Sequence, residues 1–307
     1  MGTSTTSPAD ADDRSAQLRA ARVPFVHARV VLAERPTSSK PGDEALIHAD
    51  GTIEGFVGGT CAEATVREQS LRVLQDGASV LLRITPEPEE DRSDKVVVHN
   101  HCLSGGTMEI FLEPEIPTPL VVVVGDAPIA HALQELGSAL GYELRPHDGE
   151  LPVDVSAVVI ASHGRDEEPA LRAALDAGAG YIGLVASPRR GAAVLDSFDL
   201  DADERARIDT PAGLDLGART PHEVALSILA SIVERRPRPA APSGDPQAGT
   251  RTRAAKVGAG SAIDPICGMS VATVDSSLHL EHDGQLVWFC GPGCQQAFAA
   301  DPATYLP

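Results

Sequence analysis

Cysteine is scarce in this chain and unevenly placed. Three of the five, Cys267, Cys290 and Cys294, fall within residues 261–307. Cys290 and Cys294 are one helical turn apart across Gly291-Pro292-Gly293, with Cys267 further upstream. Two thiolates at a knuckle plus a distant third supply three corners of a tetrahedral zinc or Cu(I) site. Asp264, His279 or His282 would add the fourth ligand, or the site stays three-coordinate. The same cysteines also suit reduced, buried structural thiols. The other two cysteines each sit beside a glycine pair, in Gly58-Gly59-Thr60-Cys61-Ala62-Glu63 and Cys102-Leu103-Ser104-Gly105-Gly106. The first stretch lies between a strand pattern and a helix pattern. Free amides and the helix dipole there favour an anion, and glycines let a ligand approach the backbone. A cysteine at that helix start gains thiolate character, which suits sulfur handling or contact with a metal. A glycine turn beside a structural cysteine is the plainer alternative.

Two further features sit where α/β proteins bind ligands. Gly125-Asp126-Ala127-Pro128-Ile129-Ala130 occupies the place of a dinucleotide-binding turn, but Ala127 replaces the glycine that admits the pyrophosphate. Asp126 adds negative charge where phosphates would lie, although Asp148 stands where a ribose-binding acid belongs. The balance argues against NAD. His163 follows an apolar run at the carboxyl edge of the expected sheet, as a ligand-facing or a simply exposed histidine.

Composition narrows the field. Forty-four acidic residues against 25 basic ones give a net charge of −19, which opposes general nucleic-acid binding. The stretch 235–260 runs the other way, with six bases and one acid among prolines, and reads as a solvated linker. No apolar run approaches the ~18 residues of a membrane span. The polar N-terminus lacks the pattern of a secretory signal, so the cysteines are expected to stay reduced in the cytoplasm. No acid–base dyad or nucleophile triad stands out, which favours a binding role over turnover.

The elements that must position these residues form an α/β chain of three domains: 15–116, 117–235 and, beyond the Pro-rich linker 236–260, 261–307. The first is an α+β layer. Phe25–Leu32, Ala45–Ile47, Val80–Ile84 and Glu109–Leu112 read as strands of an antiparallel or mixed sheet, Asp50-Gly51 as a hairpin turn and Ala62–Leu74 as a helix. In the second, Leu120-Val121-Val122-Val123-Val124 suits a strand buried on both faces. Ile129, Leu133, Leu136 and Leu140 mark the helix after it. Strands at 142–145, 155–161 and 181–185, with a helix near 171–177, complete a Rossmann-like parallel sheet. Thr220-Pro221-His222-Glu223 carries the capping box of a last helix.

Several of these segments together resemble the xanthine dehydrogenase accessory family (XdhC/CoxI). They are Gly58–Glu63, Ser104–Pro114, Tyr181-Ile182-Gly183-Leu184-Val185-Ala186-Ser187 and Gly213–Pro221, over roughly residues 20–235. Thr60 intervenes between the glycine pair and Cys61, and Ser104 precedes the second pair, where the family usually places cysteine. The resemblance implies a cytoplasmic maturation factor. It would bind molybdenum cofactor as cargo and deliver it to a molybdenum hydroxylase such as xanthine dehydrogenase or carbon monoxide dehydrogenase. A cysteine desulfurase would supply sulfur, and a homodimer is left open. Gly58, Gly59, Cys61, Glu63, Cys102, Gly105, Gly106 and His163 become the implied cofactor-binding residues. Residues 261–307 resemble a YHS domain, a TRASH-like metal-binding module, through Asp264–Met269, Phe289–Cys294 and Phe298…Asp301-Pro302…Tyr305. The competing classes are an NAD-dependent oxidoreductase and a metal-responsive binding protein acting through that module.

Overall fold

In the computed structural model, the described residues are 8–90, 92–100, 106–235 and 260–305. Cys102, Gly105 and nearly all of the linker 236–260 lie outside them. The chain forms two compact units, residues 1–117 together with 239–307, and residues 118–238.

The first unit begins with α1 (Pro8–Ala20), followed by β1 (Phe25–Ala33), β2 (Glu44–His48) and β3 (Ile53–Gly55). Next come α2 (Thr60–Asp76), β4 (Val80–Thr85), β5 (Val96–His99) and β6 (Met108–Glu115). The strands form one six-stranded mixed sheet in the order β3-β2-β1-β6-β4-β5, antiparallel except for the β4–β5 pair. Alternation buries one face: Val26, Ala28 and Val30 of β1 join Ile110 and Leu112 of β6 in a cluster with Val66 and Val73 of α2. Gly77 ends α2 in the left-handed conformation, φ 67°, which a glycine adopts at little cost.

The second unit is doubly wound. Its elements are β7 (Leu120–Val124), α3 (Pro128–Ala139), β8 (Glu143–Pro146), β9 (Val155–Ile160), α4 (Glu167–Asp176) and β10 (Tyr181–Leu184). They continue with α5 (Pro188–Asp196), α6 (Ala202–Arg207), β11 (Ile208–Asp209) and α7 (Pro221–Glu234). The five strands are parallel in the order β11-β10-β9-β7-β8. Period-2 alternation serves both faces: Leu120, Val122 and Val124 pack with α4, and Val121 and Val123 pack with α3 and α7. Thr220 and Glu223 form the expected capping box of α7.

The chain then returns to the first unit with β12 (Ser261–Ile263), β13 (Ser270–Ala272), β14 (Leu278–His282), β15 (Gln285–Phe289) and α8 (Pro292–Ala300). These make two small hairpins and one helix. They are not a free-standing body: β13 lies along α2, and Met269, Val271 and Cys290 share an apolar cluster with Ala64. Ser270 Oγ donates to Glu68 Oε1 at 2.6 Å, and Ser276 Oγ donates to the Asp50 carbonyl at 3.1 Å. A Cβ on Gly51 would lie 2.8 Å from both Ser276 Oγ and Val274 Cγ2, so the 50–51 turn is tightly covered. Both sides of α2 are thus covered: Val66 and Val73 face the six-stranded sheet, and Ala64 and Glu68 meet the C-terminal strands. No helix among the described residues is long and apolar enough to cross a membrane.

Candidate functional site

Gly59 caps α2 without a side-chain bond, leaving the first-turn amides without an internal partner and Thr60 and Cys61 in that turn. Facing this helix start is the segment after β1, Arg35 to Ser38, with the ends of β4 and β5 on the third side. Together they enclose a cavity of about 570 Å³ lined by Arg35, Thr37, Gly59, Cys61, Asn100 and Met108, among others. That volume falls within the usual range for small-molecule sites. Buried Asn100 donates from Nδ2 to the Cys61 carbonyl at 3.3 Å, pinning the helix start to β5. The Thr37 and Ser39 hydroxyls contact Met108 Sδ at 3.4 and 3.5 Å, which anchors the facing segment. Gly106 lets the chains approach: a Cβ there would lie 1.7 Å from the Glu34 carbonyl oxygen.

Of the residues expected at this site, Gly59, Cys61 and Gly106 line the cavity. Gly58, at φ 141°, sits behind it against Ala62 and Met108. Glu63 points elsewhere on α2, where burial raises its carboxyl above the ordinary value despite Arg67 one turn on. His163 belongs to the other unit, just beyond β9. There it lines a separate cavity of about 750 Å³ with Ser187, Arg190 and the 211–218 loop. Arg190 is committed to buried Glu167 at 2.6 and 2.7 Å, which leaves this cavity short of a free cation. Gly125, at φ 103°, is required by packing, since a Cβ would meet the Ala161 carbonyl oxygen at 2.5 Å.

The second constellation lies on the other side of Cys61. One ligand atom each from Asp264, Cys267, Cys290 and Cys294 falls within 4.8 Å of the others. Cys290 Sγ is 3.5 Å from Cys267 Sγ and 3.7 Å from Cys294 Sγ. Tetrahedral zinc with bonds of about 2.3 Å spaces its sulfurs by about 3.8 Å, so the thiols already stand near coordination spacing. Asp264 is fully buried, and its oxygens accept from the Ile266 amide at 2.9 Å and the Cys290 amide at 2.8 Å. It thereby ties the Cys267 loop to the Cys290 knuckle. Hydrogen bonding from Cys290 lowers the Cys267 thiol below its ordinary value, and the same contact, followed by Cys61 and burial, raises Cys290. Burial first, then the Asp264 charge, pushes Cys294 up to about 12. Of the three candidates for a fourth ligand, Asp264 joins this group. His279 instead bonds the Ser277 carbonyl and packs on Trp288, and His282 lies edge-on to Phe298.

Two family profiles match the chain: "XdhC and CoxI family" over residues 18–85 and "XdhC Rossmann domain" over residues 121–232. Together they take in more than half of it. The chain carries an XdhC and CoxI family domain followed by an XdhC Rossmann domain. The XdhC and CoxI segment carries the Arg35–Ser38 wall and the Gly59–Cys61 helix start, and the XdhC Rossmann segment carries the parallel sheet. Neither match reaches the C-terminal thiols.

Among curated relatives, the Escherichia coli protein YqeB is 28% identical over 251 residues, 72% of this chain and 45% of YqeB. The chain thus spans less than half the length of that relative. Escherichia coli PaoD, described as a molybdenum cofactor insertion chaperone, is 25% identical over 262 residues, 67% of this chain and 82% of PaoD. A solved chain described as a xanthine dehydrogenase from Bacillus halodurans is 16% identical. That likeness covers 75% of this chain and 97% of that one, with a TM-score of 0.35.

Sequence reading had no access to the roles of Asn100 and Arg35, which carry no spacing signal. Nor did it bring Cys61 beside the C-terminal thiols, because contacts such as Glu68–Ser270 span 202 residues.

Proposed function

We propose that the protein is a molybdenum-cofactor chaperone that holds the cofactor as cargo in the cavity beside Cys61 and passes it to a molybdenum hydroxylase. One observation carries this reading. A thiol in the first turn of a helix without a side-chain cap shares a cavity of about 570 Å³ with a cation and neutral hydrogen-bonding groups. The cargo is a pterin with a phosphate and a sulfur-ligated molybdenum. Cys61 would offer a soft ligand to the metal, and Arg35 a counter-charge to the phosphate. Thr37 and Asn100 would meet the polar edge of the pterin, and Met108 and Ile84 its face. The two XdhC domain matches and the likeness to PaoD support the same reading.

The client is a xanthine dehydrogenase or carbon monoxide dehydrogenase type of enzyme, with a cysteine desulfurase as sulfur donor, in the cytoplasm. The C-terminal thiols form a YHS-like site for a soft cation, zinc or Cu(I), in which buried Asp264 and Cys290 stand with half-buried Cys267 and Cys294. The experiment is purification from a cofactor-producing host, with bound molybdenum and pterin quantified. Wild-type protein retains both, and Cys61→Ser retains at least tenfold less. Equal retention by the variant would remove Cys61 from the site, and no retention by wild type would remove the chaperone reading.

A further inference from the structure

Cys61 lies between two constellations, lining the cavity on one side and resting against Cys290 on the other. The cavity's role rests on the chaperone reading above; the contact with the thiol cluster does not. A Cβ on Gly291 would lie 3.5 Å from both Cys61 Sγ and Thr60 Oγ1, so the start of α8 abuts the start of α2. Both helices begin at a glycine with no side-chain cap, and each places a cysteine in its first turn, Cys61 in α2 and Cys294 in α8. Two positive helix ends facing one gap favour anionic sulfur there. Asp264, the alternative oxygen donor, already accepts one backbone N–H on each carboxylate oxygen.

We propose that Cys61 is a ligand shared between the two sites: a thiophilic cation, Zn²⁺ or Cu⁺, held by Cys267, Cys290 and Cys294 takes the Cys61 thiolate as its fourth ligand. Asp264 positions the loops. Each thiol that joins loses its proton to solvent, and no redox change is involved. Loading the cluster withdraws the Cys61 sulfur from the cavity and clamps the C-terminal segment to α2. The cation and the cavity's cargo therefore compete for one sulfur, and cation binding becomes a release signal for the cargo.

The test uses the full chain with Co²⁺ alone as a spectroscopic substitute for Zn²⁺. Wild type gives the charge-transfer intensity of four thiolates, and Cys61→Ser gives three quarters of it with affinity weakened at least tenfold. Asp264→Asn keeps the four-thiolate spectrum. In a second measurement on wild type, which needs no variant to fold, Zn²⁺ blocks alkylation of Cys61 by iodoacetamide, read by mass spectrometry. The proposal is overturned if Cys61→Ser has the wild-type spectrum and Cys61 alkylates equally with and without Zn²⁺. It is overturned equally if wild type binds neither ion. Cofactor retention by the cation-free protein is scored separately, so a failed clamp and a failed chaperone reading give different results.

Discussion

Substituting Gly106 tests whether the cavity is shaped by close backbone approach rather than by side chains. The ideal Cβ of Gly106→Ala lies 1.7 Å from the Glu34 carbonyl oxygen, 2.8 Å from its carbonyl carbon and 2.9 Å from the Pro36 carbonyl oxygen. All three are backbone atoms, so no side chain can swing away. Ordinary contact needs about 3.5 Å, so the segment carrying Arg35 must retreat by roughly 1.8 Å. Overpacking of this kind costs about 1–3 kcal/mol. At about 2–4 °C per kcal/mol for a unit of this size, Tm falls by roughly 2–12 °C. Gly59→Ala is the control, because nothing lies within 4 Å of its Cβ. Its φ of −73° suits any residue, so the change costs less than about 1 kcal/mol at that cap. Differential scanning calorimetry of both variants should show Gly106→Ala losing more stability than Gly59→Ala, and bound molybdenum measured on Gly106→Ala should fall at least tenfold. A Gly106→Ala protein that melts and retains cofactor like wild type would refute the close approach.

Other outcomes follow from the same structure. Tyr181→Phe removes a buried hydroxyl that donates to Asp209 at 2.9 Å and accepts the Gly213 amide at 3.0 Å. Urea unfolding should show a loss of about 1–3 kcal/mol, and an unchanged midpoint would mean the network is idle. Leu133→Ala empties a fully buried position between α3 and the sheet and should cost about 2–5 kcal/mol by the same assay. Lys95, then Arg83, hold the Glu109 carboxyl below its ordinary 4.5. That stability is complete above pH 4.5 and is lost as pH falls through the lower folded value. Melting temperatures between pH 5 and 3 should therefore fall more steeply for wild type than for Glu109→Gln, and parallel curves would contradict the assignment.

What could be read from the sequence followed the strength of local patterning. The run Leu120–Val124 is a strand at its expected bounds because five consecutive apolar residues can be buried only between two helical layers. The α2 helix extends from Thr60 to Asp76, two residues beyond the expected span at each end, since glycines bound it. By contrast, α1 has no apolar stripe; it is held by Leu18 in the Phe25–Leu46 cluster and by Arg14 on Glu54. The α6 capping box of Asp201 and Glu204 was present as a motif, but its helix buries nothing that would make a periodic signal. Among site residues, Cys61 and Gly106 were legible because glycine and cysteine are informative residue types. The wall around Arg35 carries no spacing signal, and the approach of Cys61 to Cys290 depends on tertiary packing that no local pattern encodes.

The first unit is interrupted in sequence by the whole of the second, and this has a consequence for biosynthesis. A ribosome releases the sheet and α2 first, then makes the second unit, and only afterwards the strands that cover Ala64 and Glu68. At ordinary elongation rates the gap is roughly 7–30 s, ample time for the parallel-sheet unit to fold on its own. Throughout it the nascent chain displays the outer side of α2 and the Cys61 turn uncovered, a surface open to chaperones and proteases. Closure by Met269 and Val271 then reports that translation has run through β13. Products that stop short of β13 therefore carry the uncovered side of α2 as a visible mark of incompleteness.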